Sequence, residues 1–146
     1  MYLHENYQYN TAINYFWNGS PTSSVVKLKN DWFVNGVNNS YIMYSWHTVA
    51  GYSKIGVYSG SGANGRVVAL DFSPSFVMIK RTNGIGNWVM FDSARGDDDD
   101  YLYANTNAQE GTTGFTFSFD SNSFTVGGNA SWINASGGTY LYMAFS

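Results

Sequence analysis

The chain has no cysteine and only two prolines in 146 residues. The missing cysteine excludes disulfides, thiolate metal sites and a cysteine nucleophile together. Charge is scarce too: 12% of residues are charged, and the net charge is -3. The seven Lys and Arg are scattered, never more than two adjacent, so the electrostatic footprint of a nucleic-acid binder is missing. No apolar run approaches the roughly 18 residues of a membrane-spanning helix. No cleavable signal is visible in Met1–Asn6, which is neither basic nor apolar. Leu and Glu are few, and no stretch repeats apolar residues at helical spacing over three turns.

What is present is aromatic. Twelve Tyr, ten Phe and five Trp make up 18% of the chain, beside sixteen Gly and many Asn, Ser and Thr. Aromatic and β-branched side chains fit a pleated, half-buried surface, while Gly, Asn and Ser supply turns. The class is β, and the length suffices for one core without metal or disulfide staples. The four Asn-x-Ser triplets, at Asn18, Asn38, Asn129 and Asn134, follow from Asn/Ser richness and are not taken as glycosylation sites.

The chain also resembles itself. Asp31–Trp46 aligns with Ser131–Phe145: Trp32 falls on Trp132 and Tyr41 on Tyr140, with one loop residue of difference. Upstream, Ser24–Leu28 parallels Asn122–Val126, and Tyr2–Glu5 parallels Met90–Ser93. Three blocks in one order indicate a repeat. Each copy holds a strand of alternating pattern, a Gly/Asn/Ser turn and a long aromatic strand. The second copy adds a leading unit, Val67–Phe72, Phe76–Lys80 and Trp88–Phe91, with Asn83–Asn87 as a hairpin loop. Phe76–Ile79 and Trp88–Phe91 are continuous apolar runs, expected of strands covered on both faces. The first copy lacks this unit, so the chain looks cut at its front.

The expected fold is one all-β domain over 1–146, an antiparallel β-sandwich of concanavalin-like or jelly-roll type built from two tandem repeats. Copy 1 spans about 1–49, an ordered crossover 50–66, and copy 2 about 67–146. Tyr41–Trp46 and Tyr140–Phe145 should be equivalent strands, and Trp46 and Trp88 core residues. Phe76, Met78, Trp88 and Met90 should divide between the two faces of a central hairpin. The missing front unit predicts an edge near Tyr2–Tyr7 that is open or covered by a partner.

Four blocks carry a resemblance. They are Gly51-Tyr52-Ser53-Lys54-Ile55-Gly56 with Tyr58, Gly60 and Gly62; Phe72, Pro74 and Phe76 through Thr82; Gly86-Asn87-Trp88 with Phe91-Asp92-Ser93 and Arg95; and Asn134 to Phe145. In these the chain resembles an uncharacterised domain family of structural and tail-fibre-like proteins of marine tailed phages, from about residue 20 to the end. The family usually shows the leading unit in both copies, and a region of small residues where this chain has four aspartates. The resemblance implies a location on the virion exterior and a lectin-like sandwich. It supplies no catalytic or binding residues to carry over.

The acidic run Asp97, Asp98, Asp99 and Asp100, with Asp92 near, is the candidate calcium site, although its spacing matches no calcium loop. Trp17, Trp32 and Trp132 flank Asn/Gly/Ser turns, and with Tyr101 they are the candidate glycan-stacking residues. His4 and His47 lack a nucleophile on a strained turn, and no spacing favours a pair among Asp92, Glu110 and Asp120. Ser59–Gly65 lacks the Lys-Ser/Thr ending of a phosphate loop. The first reading is therefore a non-enzymatic structural or decorating component of a phage particle, in contact with other virion proteins or copies of itself. The second is a carbohydrate-binding adhesion module for host glycans, and the third a polysaccharide-cleaving enzyme. No cofactor other than calcium is suggested, and no nucleic-acid or membrane partner.

Overall fold

The computed structural model describes residues 5–8, 16–95, 100–112, 114 and 117–146. The chain divides into two units, one comprising Met1–Tyr9 and Trp46–Ser146, the other Asn10–Ser45. Along the chain run α1 (Trp32–Asn35), β1 (Ser53–Ser59), β2 (Arg66–Ala69), β3 (Phe76–Arg81), β4 (Trp88–Asp92), β5 (Asp100–Tyr103), β6 (Gly111–Thr112), β7 (Phe117–Phe119), β8 (Ser123–Val126) and β9 (Thr139–Phe145). Every strand belongs to the larger unit. They form a six-stranded sheet in the order β1-β9-β3-β4-β5-β6 and a three-stranded sheet in the order β2-β8-β7. All pairings are antiparallel. The expected all-β class holds, and the only helix among the described residues is a single turn.

The two sheets share one core. Directly opposed residues of an antiparallel ladder point to the same face. The registers therefore place Tyr58, Tyr140, Tyr142, Ala144, Val77, Ile79, Val89 and Phe91 together on one face of the large sheet. Val68, Phe124, Val126 and Phe117 share a face of the small one. All of these belong to one buried cluster. Phe91 stacks on Phe117 with centroids 3.7 Å apart, and Phe124 meets Tyr142 edge-on at 5.4 Å. Between the sheets the Tyr58 hydroxyl donates to the Ile133 carbonyl at 2.6 Å, and burial pushes its pKa well up.

The opposite face of the large sheet is also apolar, and its Phe76, Met78 and Met90 are half-buried. Phe76, Met78, Trp88 and Met90, however, do not divide between faces. Met78 opposes Met90 and Lys80 opposes Trp88, so all four lie on this outer side. A side-chain period of two leaves the odd-numbered Val77, Ile79, Val89 and Phe91 for the core. Across the strands this outer face reads Ile55, Met143, Met78, Met90, Leu102. Beside that row Lys80 is fully buried. Its ammonium donates to the carbonyls of Arg81 at 2.9 Å and Asn6 at 3.4 Å, and burial lowers its pKa. The Asn6 carbonyl also accepts the Gly86 N–H at 3.0 Å, which ties residues 5–8 to the β3–β4 turn.

Several expectations fail. Tyr41–Trp46 forms no strand, nor does Ser24–Leu28 beyond a bridge at Leu28, and Trp46 is 51% exposed instead of core. Their counterparts in β8 and β9 are strands because neighbours exist for them: β9 lies between β1 and β3. No strand pairs with Tyr41–Trp46 among the described residues. The crossover 50–66 contains a strand, β1. Gly56 sits mid-strand, where a Cβ would lie 2.7 Å from the Tyr142 hydroxyl. The large sheet's edges are β1 and β6; residues 5–8 form no strand, and Tyr2, Leu3 and His4 lie outside the described residues.

The described residues of the smaller unit, 16–45, form turns around the single-turn helix α1. Trp17 bridges Leu28, with Asn18 N–H on the Lys27 carbonyl and Lys29 N–H on that of Phe16. The Thr22 hydroxyl accepts the Val25 N–H at the tip. Asp31 caps α1 by accepting the Phe33 N–H at 2.9 Å. The Tyr41 hydroxyl then closes the next loop, donating to the Trp32 carbonyl and accepting from Gly36 N–H. No described residue of this unit is buried.

Candidate functional site

Two of the four residues proposed for glycan stacking come together. Tyr101, on β5, and Trp132, in the loop before β9, have ring centroids 5.1 Å apart. Tyr103 joins them, 5.1 Å from Tyr101 and edge-on to Trp132 at 6.3 Å. The register explains the pair: residues two apart on a strand share a face, and Tyr103 opposes the core residue Val89. All three rings pack on the rim of the core and stay half-buried. Gly111, opposite Tyr101 on β6, makes room for it, since a Cβ there would meet the Tyr101 ring at 2.8 Å.

Polar groups frame the rings. The Tyr101 hydroxyl and the Asn87 side chain are the polar neighbours that act on the Tyr103 hydroxyl. Burial first, then Tyr101, pushes its pKa up to about 12, with Asn87 pulling the other way. The Asn105 amide donates to Asn87 Oδ1 at 3.1 Å, and its own oxygen accepts the Trp88 N–H at 2.8 Å. Arg81 lies on the Ser131 carbonyl at 3.0 Å, beside Trp132. Half-exposed aromatic faces ringed by amides and hydroxyls can stack on the apolar side of a sugar ring and hydrogen-bond its hydroxyls. Tyr103, Asn87 and Asn105 escaped the sequence reading; a Tyr-x-Tyr alternation beside Tyr101 is the signal that marks Tyr103.

The other candidates are elsewhere. Trp17 and Trp32, 40% and 68% exposed, belong to the smaller unit, where Phe16 and Phe33 meet edge-on at 6.2 Å. Asp97, Asp98 and Asp99 lie outside the described residues. Asp100 is in β5 and accepts the Thr112 hydroxyl at 2.9 Å. Among the described residues no three His, Cys, Asp or Glu side chains gather as a metal site would require. The carboxylates weighed for catalysis each have local partners. Glu110 pairs with Arg95 at 2.9 Å, Asp92 accepts the Ala94 N–H, and Asp120 accepts the hydroxyls of Ser123 and Thr125. His47 is exposed, with Nδ1 3.0 Å from the Thr48 carbonyl oxygen; His4 lies outside the described residues.

No curated protein and no solved structure matches this chain. A family model does, over residues 2–146, and the chain belongs to that family, a domain of unknown function designated DUF7483.

Proposed function

We propose that this domain is a non-enzymatic contact module on the exterior of a tailed-phage particle. In this reading it is a structural or decorating component of tail fibre, head fibre or capsid surface, and its partners are other virion proteins, host surfaces or copies of itself. The resemblance of its sequence blocks to a domain family of phage virion proteins supports the setting, and the two sheets on one core support a lectin-like sandwich of concanavalin or jelly-roll kind. The observation that carries the reading is the apolar exposure of the smaller unit. Trp32, Val37, Ile42 and Tyr44 are 68, 80, 81 and 68% exposed. Exposed apolar surface of that kind marks interaction sites. Cross-linking and mass spectrometry of purified particles test it. Links from Lys27 and Lys29 to another virion protein or a second copy are expected, and absence of the domain from the particle would overturn the proposal.

A second reading rests on the Tyr101–Tyr103–Trp132 cluster: a glycan-binding adhesion module. A glycan array probed with the wild type and with Trp132→Ala tests it. Removing one stacking ring should weaken binding about tenfold, equivalent to roughly 1.4 kcal/mol. A wild type that binds no glycan would end this reading. Calcium at Asp97–Asp100 enters only here, and glycan binding that survives a chelator would remove it.

A further inference from the structure

β1 is an edge strand of the larger unit whose outer rim is incompletely covered among the described residues and whose chemistry is repeated elsewhere in the chain. β1 gives one side to β9: the Tyr52 carbonyl accepts the Ser146 N–H, and the Gly60 N–H donates to the Gly138 carbonyl, both at 2.9 Å. Even-numbered residues of β1 thus face β9, and odd-numbered ones face outward. Outward, the Ser53 N–H meets the Val49 carbonyl at 2.9 Å and the Ile55 N–H meets Thr48 Oγ1 at 3.3 Å. Val57 and Ser59 are the next two, and no strand pairs with them on that side among the described residues. Val57 is 62% exposed. From Gly56 to Ser59 the rim has no proline and no charge, the devices that usually protect an edge.

The matching segment is Tyr41–Trp46. It aligns with Tyr140–Phe145, the stretch of β9 that β1 already pairs with on its other side, where Leu141 opposes Val57 and Met143 opposes Ile55. In that alignment Ile42 takes the place of Leu141. Ile42 and Met43 are 81% and 61% exposed and lie in no strand. We infer that Tyr41–Trp46 of one copy adds as an antiparallel strand to the free rim of β1 in a second copy, with Ile42 opposite Val57. The inference rests on the contact-module reading and names a second copy of this chain as the partner.

Register makes the partner a second copy. A hairpin continued from the Val49–Ser53 bridge of one chain would set Ser45 opposite Val57. That parity turns Ile42, Tyr44 and Trp46 away from the outer apolar rows, the one-residue slip that exchanges the faces of a strand. A strand from another copy is free of the turn. It can set Ile42 beside Val57 and Leu141, and Tyr44 beside Ile55 and Met143, extending both rows by one strand. Main-chain hydrogen bonds supply affinity and the alternate side chains supply specificity. Each copy offers one segment and one rim, so the exchange closes as a reciprocal pair or continues as a chain of copies.

Sedimentation velocity of the 146-residue chain over a wide concentration range, with hydrogen exchange, tests this. The wild type should sediment as a dimer or larger. Exchange in the β1 peptide bearing Val57 and Ser59 should slow by roughly tenfold or more as concentration rises. Ile42→Pro removes a main-chain N–H from a segment outside any strand, and should leave near-UV dichroism unchanged while giving a monomer with fast exchange in β1. Val57→Lys should give the same loss from the rim side. A wild type that is monomeric throughout, or an Ile42→Pro variant that associates like the wild type, would overturn the inference. Detection in purified particles separates the two proposals. A monomeric chain present in particles ends strand addition and leaves the contact reading. A self-associating chain absent from particles keeps the exchange and ends the phage setting.

Discussion

Asn134 is the side chain on which two loops of the larger unit close. It is fully buried, and its amide donates to the Ala63 and Gly128 carbonyls at 2.8 and 2.9 Å while its oxygen accepts the Ser61 N–H at 2.9 Å. Ala at this position strands three backbone groups away from water, so Asn134→Ala should cost about 3 kcal/mol, measured as a shift in the urea midpoint. A change below about 1 kcal/mol would show that water replaces the amide. The aromatic cluster gives a second prediction at this scale. Tyr101, its ring centroid 5.1 Å away, contributes to the raised pKa of Tyr103 after the larger effect of burial. Tyr101→Phe should therefore lower the Tyr103 titration from about 12 without bringing it fully to the ordinary value. Absorbance titration of tyrosinate reads the shift, and an unmoved or raised value would separate the two hydroxyls.

Between elements, the stacked pair Phe91 and Phe117 joins the two sheets. Both rings are essentially buried, at 0% and 2% exposure. Phe91→Ala and Phe117→Ala should each cost about 3–5 kcal/mol. The double variant should cost less than the sum, because the second truncation removes a contact already lost. Additive costs would mean that the stack carries no coupling between the sheets. β3, β4, β8 and β9 were legible from the sequence because each is a dense run of apolar or alternating residues bounded by Gly, Asn or Pro. β1 was not, because the glycines and serines of residues 50–66 make that stretch turn-rich; only the position of the Tyr142 ring explains Gly56. Tyr41–Trp46 failed in the opposite sense, with strand composition but no strand beside it among the described residues. Composition reports which segments can pair and is silent on whether a partner exists. The candidate site was half legible for a similar reason. Trp132 and Tyr101 stood out by type, but their meeting depends on where the loop before β9 folds back over β5.

At the scale of the whole molecule, the buried tyrosines fix how stability responds to base. Burial is the largest cause that raises the pKa values of Tyr58, Tyr103, Tyr140 and Tyr142. In the unfolded chain these hydroxyls ionise near their ordinary value of about 10. As pH rises through about 10 the unfolded chain sheds protons that the native state keeps, so the unfolded state is favoured and stability falls. Lys80 acts with the opposite sign. Its native pKa is lowered by burial, so between that value and the ordinary 10.5 the unfolded chain binds the proton more tightly, and stability gained from this residue rises with pH. Four tyrosines oppose one lysine, and the tyrosines continue to act above the pH at which the lysine contribution is complete. The urea midpoint should therefore hold through mildly basic pH and fall above about 10. Lys80→Met should remove the opposing contribution, so that the decline begins earlier and runs more steeply. Tyr142→Phe should make it shallower by deleting one titrating hydroxyl. A midpoint that climbs steadily through this range would mean that Lys80 outweighs the tyrosines, and a flat one that these hydroxyls titrate alike in both states.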